Sequence, residues 1–558
     1  MMSTNPMLCS KWRRAIVDRD PALQRAFALC YGTTNIDART ALIRRVLDSF
    51  VERFGDLPVR VVRCPARINL RGMHVDTHGG YLNLMTHQRE VVVVSAASAG
   101  RESNVVNINA QFPEICSESG RWRSHQAFPS SWQSFITHPD VQQHVTARRG
   151  LWSNYIDGST LRTQHEWPNE CLNGICAAVG SDIPRGASLS SSTALSLSIF
   201  MSQCAWNNRA LFAERLIDVA QDIEWYTGAR IGTSDQSGML LPGVNELINF
   251  APVGQSSAAS ALRRIPFPND LAVLVIDSHT DRSISGAEQL DYTRNRFAYS
   301  LALDILRQEM HKSGVALGQL EQFTSLSEFA APKLDAVGGV RALYGWLGRV
   351  PQCLSLEDLR TRYTLPLLEE TYDRYFSPLP ETERPIQFAI RGPLLFGLAE
   401  SERARLFVDA LLQGDHEVTG YYMTLGHDGD RLFDAMGMPW SHDVSDEALR
   451  LLAARETPMA RVPGAYGASS RALDALVDSA IHAGALGASL TGAGIAGAVI
   501  ALVEAAYAQR IADGIRQYIG SEEYHSIAPR SASLSEDELR ESVVINCAPS
   551  SAGEITIT

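Results

Sequence analysis

The residues best suited to chemistry form a Gly- and Ser-rich stretch, PRGASLSSSTAL, at residues 184–195. Small residues let the backbone approach an anion, several N–H groups can converge on it, and the helix-forming run that follows presents its positive N-terminal end. The stretch lacks the GxxxxGK[ST] pattern of a Walker loop. We interpret it as a cradle for nucleotide phosphates. The alternative, from the loop alone, is an ordinary Ser-rich turn before a helix.

A second group of polar residues crowds a β-rich run and the turn that ends it: Arg67, Asn69, Arg71, His74, Asp76 and His78. The run predicts two strands joined by a turn at 77–80, where Gly79 and Gly80 permit positive φ. Polar groups packed so closely beside core-forming sequence indicate a site on a rigid edge, because buried polar groups need partners. The alternative is a solvated hairpin.

Two carboxylates follow the phosphate loop. A helix is predicted near 210–227, and on it Glu224 shares a helical row with Ile217 and Ala220, so it points toward the core. A carboxylate there is costly unless it meets a cation or strong donors, which makes Glu224 a candidate metal ligand or one half of a buried ion pair. Asp235 lies in the turn GARIGTSDQSGML, where a single Asp is most often a turn former or a helix cap.

The sequence predicts some of the helices and strands that must position these residues. Apolar residues at helical spacing predict a helix over 38–54, and a strand, the loop and a helix are predicted in the run 174–204. Strands resume in NELINF and LAVLVIDS, a helix-rich region follows to about 454, and a glycine-rich turn lies at 484–505. Residues 97–150 show little periodicity, and we interpret them as an elaborated surface segment.

Composition excludes several classes of protein. The 558 residues are 45% hydrophobic and 20% charged, as in ordinary globular proteins, and the net charge of −12 argues against a nucleic-acid or anionic-membrane surface. We expect a small-molecule partner. Nine scattered cysteines, never spaced as CxxC, indicate reduced thiols. Without an apolar run of signal-peptide or membrane-span type, we expect a cytoplasmic protein that binds neither nucleic acid nor membrane.

Three glycine-bearing stretches, in this order, resemble the signature motifs of the galactokinase-like branch of the GHMP kinases: CPARINLRGMHVDTHGG, PRGASLSSSTAL and LTGAGIAGAVIALV. Smaller similarities are LWSNYIDG, DYTRNRF at 291–297 and APSSAG at 548–553. The resemblance implies an α/β (α+β) two-domain GHMP kinase fold. It places a ribosomal-protein-like N-terminal domain at 1–262, a ferredoxin-like C-terminal domain at 263–558, the active site between them, and insertions near 97–150 and 310–385.

The resemblance also implies roles for individual residues. Asp235 is expected as the catalytic acidic residue that faces the anomeric hydroxyl of a sugar, with Arg67 beside it. Ser192 and Glu224 match magnesium ligands, which suits hard oxygens. The sugar-contacting positions are Met73, His74, Asp76 and Tyr292. The ATP phosphates would be held by Pro184, Gly186, Ala187, Ser188, Leu189, Ser190, Ser191 and Ser192.

This chain departs from the galactokinase pattern in the sugar signature. Met73 stands where galactokinases have Glu, Arg71 takes an apolar position, and Ala66 replaces a glycine. Methionine cannot accept a hydrogen bond from the sugar 6-hydroxyl, so we expect galactose to be a poorer substrate than a sugar altered at carbon six. If Arg71 reaches the pocket, a 6-carboxylate is preferred; otherwise Arg71 points to solvent.

The function that follows from the resemblance is an ATP- and Mg2+-dependent sugar kinase, acting on the anomeric hydroxyl of galactose or a relative. One alternative is a sugar- and ATP-binding sensor without catalysis, and another is a GHMP kinase for a different small alcohol. The uninterrupted run of Ser191, Ser192, Thr193 and Ala194 favours the enzyme, since such sensors tend to lose small residues in this loop. We expect a monomer or a homodimer.

Overall fold

The computed structural model describes residues 6–32, 36–184, 186–229, 232–252, 262–280, 287–377 and 379–557, without the side chains of 287–289 and 291–292. The described strands are β1 Met7–Leu8, β2 Pro58–Arg71, β3 Leu82–Ala97, β4 Asn104–Asn107, β5 Ile115–Cys116, β6 Ile175–Ser181, β7 Glu246–Phe250, β8 Arg263–Pro266, β9 Leu271–Asp277, β10 Cys353–Ser355, β11 Gln387–Ala389, β12 Gly487–Leu490, β13 Ala498–Glu504, β14 Val543–Ile545 and β15 Gly553–Glu554.

The described helices of the first half are α1 Cys9–Val17, α2 Pro21–Tyr31, α3 Ile36–Phe54, α4 Ser119–Arg123, α5 Trp132–Ile136, α6 Pro139–Ala147, α7 Ser153–Glu166, α8 Ser191–Trp206, α9 Ala213–Tyr226 and α10 Ser234–Leu240. Those of the second half are α11 Ala287–Lys312, α12 Leu317–Leu320, α13 Ala331–Leu334, α14 Gly339–Leu347, α15 Leu356–Arg362, α16 Leu368–Phe376, α17 Arg391–Leu412, α18 His416–Asp430, α19 Asp446–Ala454, α20 Arg471–Ala483, α21 Ala508–Ile519, α22 Glu522–Ile527 and α23 Glu536–Glu541.

A large mixed sheet forms the framework of the N-terminal half. Its described strands run in the order β1-β2-β3-β6-β4-β5, with β15 on β2, β7 on β3 and β8 on β7. The antiparallel pair β2 and β3 forms its centre, and Val-rich runs in both strands suit a buried pleated surface. The register shifts between Pro65 and Ala66 and again between Asn69 and Arg71, so the last residues of β2 bend toward the turn that follows.

Helices cover both faces of this sheet. The predicted helix over 38–54 is confirmed as α3, whose Leu42, Ile43, Val46 and Leu47 join a buried cluster with residues of β2 and β3. Helix α8 packs against β2 and β3, and α7 and α9 pack against α8. The predicted order of strand, loop and helix around residues 182–190 is therefore confirmed.

A smaller antiparallel sheet lies in the C-terminal half, with described strands in the order β12-β13-β9-β14. Helices α20 and α21 pack against it. Strand β8 pairs with β7 and β15 with β2, so chain beyond residue 262 also contributes to the large sheet. The domain boundary at 262/263 stays a prediction.

The segment 97–150 contains more structure than its composition indicates. Strand β4 pairs in parallel with β6, and β5 pairs with β4. Helices α4 to α6 follow, and Trp122, Trp132 and Phe135 form a small buried cluster with Leu161 and Tyr226 of the neighbouring helices α7 and α9. Within the described ranges, no helix has the length and apolar composition needed to cross a bilayer.

Candidate active site

A cavity opens where the end of β2, the turn after it, the first turn of α10, helix α11 and the turn between β12 and β13 meet. The residues that line it are Arg67, Asn69, Gly72, His74, Asp76, Thr77, Gly232, Ser234, Asp235, Arg296, Tyr299, Tyr466, Gly492 and Ala493. The lining therefore brings together the polar group at 67–77, the turn that carries Asp235, and residues of the C-terminal half.

Arg67 and Asp235 form the centre of this cavity wall. The Arg67 Nε atom donates to Asp235 Oδ1 at 2.8 Å, and Nη2 donates to the same oxygen. Helix α10 can lie this close to β2 because Gly238 faces Arg67, where a Cβ atom would come within 2.9 Å of the arginine Cβ. Asp235 is thus the carboxylate of a charge-assisted pair and not a simple helix cap.

Ser190 joins this pair to the Gly- and Ser-rich loop. Its hydroxyl donates to Asp235 Oδ2 at 2.5 Å, and Arg67 Nη1 donates to the backbone carbonyl of Ser188 at 2.8 Å. Ser188 and Ser190 both have positive φ, at 56° and 61°, and α8 begins at Ser191. The loop and the Arg67–Asp235 pair are therefore one hydrogen-bonded unit at the N-terminus of a helix, a place that favours anions.

The loop side chains divide into two groups. Ala187 and Leu189 are buried in the core beneath the large sheet, so only their backbone atoms are left for a ligand. Ser188 donates to the Ala496 carbonyl at 3.0 Å, which fastens the loop to the turn between β12 and β13. Gly492 in that turn has φ +79°, and a Cβ there would come within 2.6 Å of the Ser188 carbonyl oxygen. The third glycine-rich motif therefore packs directly on the loop.

Glu224 is buried beside the start of α8. Its Oε1 accepts from the Thr193 hydroxyl at 3.0 Å, and Ser192 also bonds its carboxylate. Burial raises the pKa of Glu224 from 4.5 to about 7; the Thr193 and Ser192 hydroxyls oppose this rise and Asp235 adds to it. None of these groups is a cation. Glu224 is thus a buried carboxylate with hydroxyl groups and a second carboxylate nearby, and such a group of oxygen atoms is suited to bind a divalent cation.

Two aromatic side chains and a histidine form another wall. His74, at φ 62°, stacks on Tyr466 with ring centroids 4.5 Å apart and an interplanar angle of 9°. The His74 Nε2 atom lies 3.5 Å from Asp430 Oδ1. The Tyr299 ring packs edge-on against Tyr466 at 5.9 Å. Asp76 accepts from the Ser234 backbone N–H at 3.3 Å, which places its carboxylate next to the turn that carries Asp235.

Met73 does not line the cavity, which corrects its expected placement. The Met73 side chain is 1% exposed and belongs to a hydrophobic cluster with Val75, Leu82 and Leu84. Its backbone N–H donates to Glu400 Oε1 at 3.1 Å. The Met73 side chain therefore packs in the hydrophobic core and is not among the residues that line the cavity.

Arg71 neither reaches the cavity nor points to solvent. It is fully buried, its Nη2 lies 3.1 Å from Glu400 Oε1, and its Nη1 donates to the carbonyls of Tyr422 and Met423 at 3.0 and 2.7 Å. Burial acts to raise the pKa of Glu400, but the neighbouring Arg71 and Arg403 hold this pKa below its ordinary value. The alternatives left open for Arg71 are both wrong, because a carboxylate 329 residues away pairs with it.

The remaining expected residues are placed as follows. Tyr292 cannot be located, because its side chain lies outside the described residues. His78 packs on Tyr299 at 4.1 Å without lining the cavity. Sequence reasoning missed Arg296, Tyr299, Tyr466 and Ala493; of these, Arg296 lies inside the quoted motif DYTRNRF, whereas Tyr466 lies in a loop without a pattern.

Three family models match the chain. The galactokinase galactose-binding signature matches residues 48–97, the GHMP kinase N-terminal domain matches 154–243, and the GHMP kinase C-terminal model matches 446–520. These matches support a galactokinase-like GHMP kinase. The first match contains Arg67, His74 and Asp76, and the second contains the Gly- and Ser-rich loop, Glu224 and Asp235.

Known galactokinases are distant relatives. A galactokinase of Chloroflexus aurantiacus is 28% identical over 273 residues, which are 47% of this chain and 60% of that protein. A galactokinase of Roseiflexus sp. is 26% identical over 269 residues, 47% of this chain and 58% of that protein. The chain thus spans about 60% of the length of the curated relatives that it matches.

One solved structure shows that the fold is shared. The structure of Lactococcus lactis galactokinase complexed with galactose superposes with a TM-score of 0.59 and 17% identity, covering 92% of this chain and 99% of that chain. The expected α/β fold of the GHMP kinases is confirmed by this likeness and by the N- and C-terminal family matches.

Proposed function

We propose that this protein transfers the γ-phosphoryl group of ATP to the anomeric hydroxyl of galactose or a galactose-like sugar. The observation that carries the proposal is the cluster of Arg67, Asp235 and Ser190. Arg67 and Asp235 line the cavity together with residues of the galactose-binding signature, and Ser190 joins them to the Gly- and Ser-rich loop. The galactokinases similar to this chain support the same reaction.

In this proposal Asp235 accepts the proton of the reacting hydroxyl. Arg67 donates two N–H groups to Oδ1, whereas Oδ2 accepts only the Ser190 hydroxyl among the bonds described, so Oδ2 is the oxygen that takes the proton. The two bonds from Arg67 hold the Asp235 carboxylate in position. As the proton moves to Asp235, the sugar oxygen forms a bond to the γ-phosphorus and the bond to the ADP oxygen breaks. Positioning and electrostatics supply most of the rate in such transfers.

Ser192 and Glu224 are proposed to hold Mg2+. When bound, Mg2+ would neutralise charge on the ATP phosphates. Glu224 suits this role because its buried carboxylate has hydroxyl partners and no described cation. The backbone N–H groups of 186–192 and the N-terminus of α8 would bind the phosphates, with Ala187 and Leu189 anchoring the loop in the core.

His74, Asp76 and Tyr466 are proposed to hold the sugar, since they line the cavity together with Asp235. The sequence predicts a preference for sugars altered at carbon six, and this prediction depends on Met73 and Arg71. Neither residue is among those that line the cavity. We therefore propose galactose itself as the first substrate to test. The cytoplasmic location, the monomeric or homodimeric state and the domain limits remain predictions.

The experiment measures ADP release from MgATP with galactose for the full chain and for Asp235→Asn. Asp304→Asn is a matched control, because this aspartate is on α11 and half exposed, away from the cavity lining. We expect galactose-dependent ADP release by the parent and by the control, and a loss of about 10²–10⁴-fold in Asp235→Asn. Galactose binding without ADP release in the parent would instead support the sensor.

A further inference from the structure

A second cavity lies between helix α19, the start of α17 and the chain at 461–464. Its volume is about 260 Å³, and its lining residues differ from those of the candidate active site. Leu395 of α17 and Val462 give it a buried apolar lining, and Leu451 of α19, which also lines it, is 48% exposed. A large apolar side chain left open to solvent beside a cavity indicates a binding surface.

Two arginines add positive charge to this cavity. Arg455 directly follows α19, Arg461 ends the short helical turn Met459–Arg461, and both side chains are exposed and belong to the lining residues. The carboxylates in the first turn of α19 bond other arginines: Asp446 pairs with Arg391 at 2.7 Å and Glu447 with Arg450 at 2.5 Å. Within the part of the chain that the structure describes, Arg455 and Arg461 have no ion pair, so both guanidinium groups are available to an anion.

The net charge of the lining fits a monoanion. Asp443 also lines the cavity, and its Oδ1 accepts the Ser445 backbone N–H at 2.8 Å, which lowers the pKa of Asp443 and keeps it ionised. Burial lowers the pKa of His442, another lining residue, and Arg403 adds to this effect while Asp428 opposes it, so this imidazole is neutral near pH 7. Two arginines and one aspartate leave one positive charge, which a single carboxylate balances.

The second cavity lies behind the wall that carries Tyr466. Leu395 lines this cavity, whereas the ring of the next residue, Phe396, lies 5.3 Å from the Tyr466 ring and 6.0 Å from the His74 ring. Gly464 lines the cavity two residues before Tyr466, and a Cβ at Gly464 would come within 2.3 Å of the Phe396 Cα atom. A ligand here would therefore contact the chain that holds Tyr466 without entering the candidate active site.

We propose that this second cavity binds a small organic carboxylate with an apolar chain. Arg455 and Arg461 would pair with the carboxylate. Leu395, Leu451 and Val462 would pack on the chain. The volume of about 260 Å³ equals that of about nine water molecules, which is room for a chain of about eight carbon atoms. The proposal is independent of the sugar-kinase reaction, since it uses no residue of the candidate active site.

The test is a calorimetric titration of the full-length protein with octanoate and with octan-1-ol, which has the same chain without the charge. The double variant Arg455→Gln/Arg461→Gln removes both cations at exposed positions. Arg450→Gln is the matched control, because Arg450 is an arginine of the same helix whose side chain is 71% exposed and which is not among the lining residues. We expect one octanoate per chain in the parent and the control. Binding should be at least about tenfold weaker for octan-1-ol and for the double variant.

Equal affinity of the parent for octanoate and octan-1-ol, or equal octanoate affinity in the parent and the double variant, overturns the proposal. Tighter binding of octyl phosphate than of octanoate overturns the assignment to a carboxylate. If the double variant does not fold, the comparison of octanoate with octan-1-ol in the parent carries the test. A parent that binds no octanoate also overturns the proposal; a parent dimer that Leu451→Asp converts to a monomer would then identify a second copy of this chain as the occupant.

Discussion

Replacing Glu224 by glutamine should stabilise the magnesium-free protein while it weakens the stabilisation by magnesium. Burial raises the pKa of Glu224 from 4.5 to about 7. At about 1.4 kcal/mol for each pKa unit, keeping this carboxylate ionised in the folded protein costs about 3 kcal/mol. Glutamine keeps the shape and the hydroxyl contacts of Thr193 and Ser192 without that cost.

The sign of the pH dependence follows from the direction of this pKa shift. The folded protein holds the Glu224 proton more tightly than the unfolded chain, so the contribution of this group is fully present below about pH 4.5 and is lost as pH rises through about 7. Glu224→Gln should therefore be more stable than the parent by up to about 3 kcal/mol above pH 7, and the difference should shrink toward pH 4.5.

The assay is chemical denaturation of both proteins across this pH range, first without divalent cations and then with Mg2+ and ADP. We expect the parent to regain stability with Mg2+ above pH 7, and Glu224→Gln to gain less. Asp304→Asn, which removes an exposed carboxylate from α11, should behave as the parent in both series. A variant less stable than the parent without Mg2+ above pH 7, or one with an unchanged Mg2+ response, would refute the reasoning.

The other predictions concern the cavity and its wall. Ser190→Ala removes the hydroxyl bond to Asp235, worth about 1.5–3 kcal/mol, so kcat should fall about 10- to 100-fold with little change in galactose affinity; an unchanged kcat contradicts this. Tyr466→Leu removes the stack on His74, worth about 1 kcal/mol, and should raise the KM for galactose severalfold at similar kcat. Met73→Glu should destabilise the fold by at least about 2 kcal/mol in denaturation, whereas Met73→Leu should cost less than about 1.5 kcal/mol. A stable Met73→Glu protein with improved galactose affinity would show that this position reaches the sugar.

The sequence predicted those elements of the fold whose residues show a regular spacing over several turns or residues. Helix α3 was predictable because its apolar residues repeat at helical spacing for five turns. The loop between β6 and α8 was predictable because its small residues interrupt a strand pattern and a helix pattern, and its binding of phosphate stays a prediction. Helices α4 and α5 were not predicted, since each spans five residues and is too short to show a period.

In the candidate site too, some residues could be placed from local sequence patterns and others could not. Glu224 could be placed on the core side of its helix from its helical row alone, and it is 2% exposed. The pairing of Arg71 with Glu400 and the stack of Tyr466 on His74 join residues hundreds of positions apart, and no local pattern records such contacts. Met73 was assigned to the sugar because it stands where galactokinases have Glu, but it lies in the turn after β2 and its side chain packs in the core.

The most direct test of the central claim is phosphorus NMR of the product formed from MgATP and galactose. The account predicts ADP and a sugar phosphate bonded at the anomeric oxygen, formed by the parent and by Asp304→Asn and not by Asp235→Asn. A phosphate on another hydroxyl, or equal product from Asp235→Asn, would contradict the role assigned to the cluster of Arg67, Asp235 and Ser190.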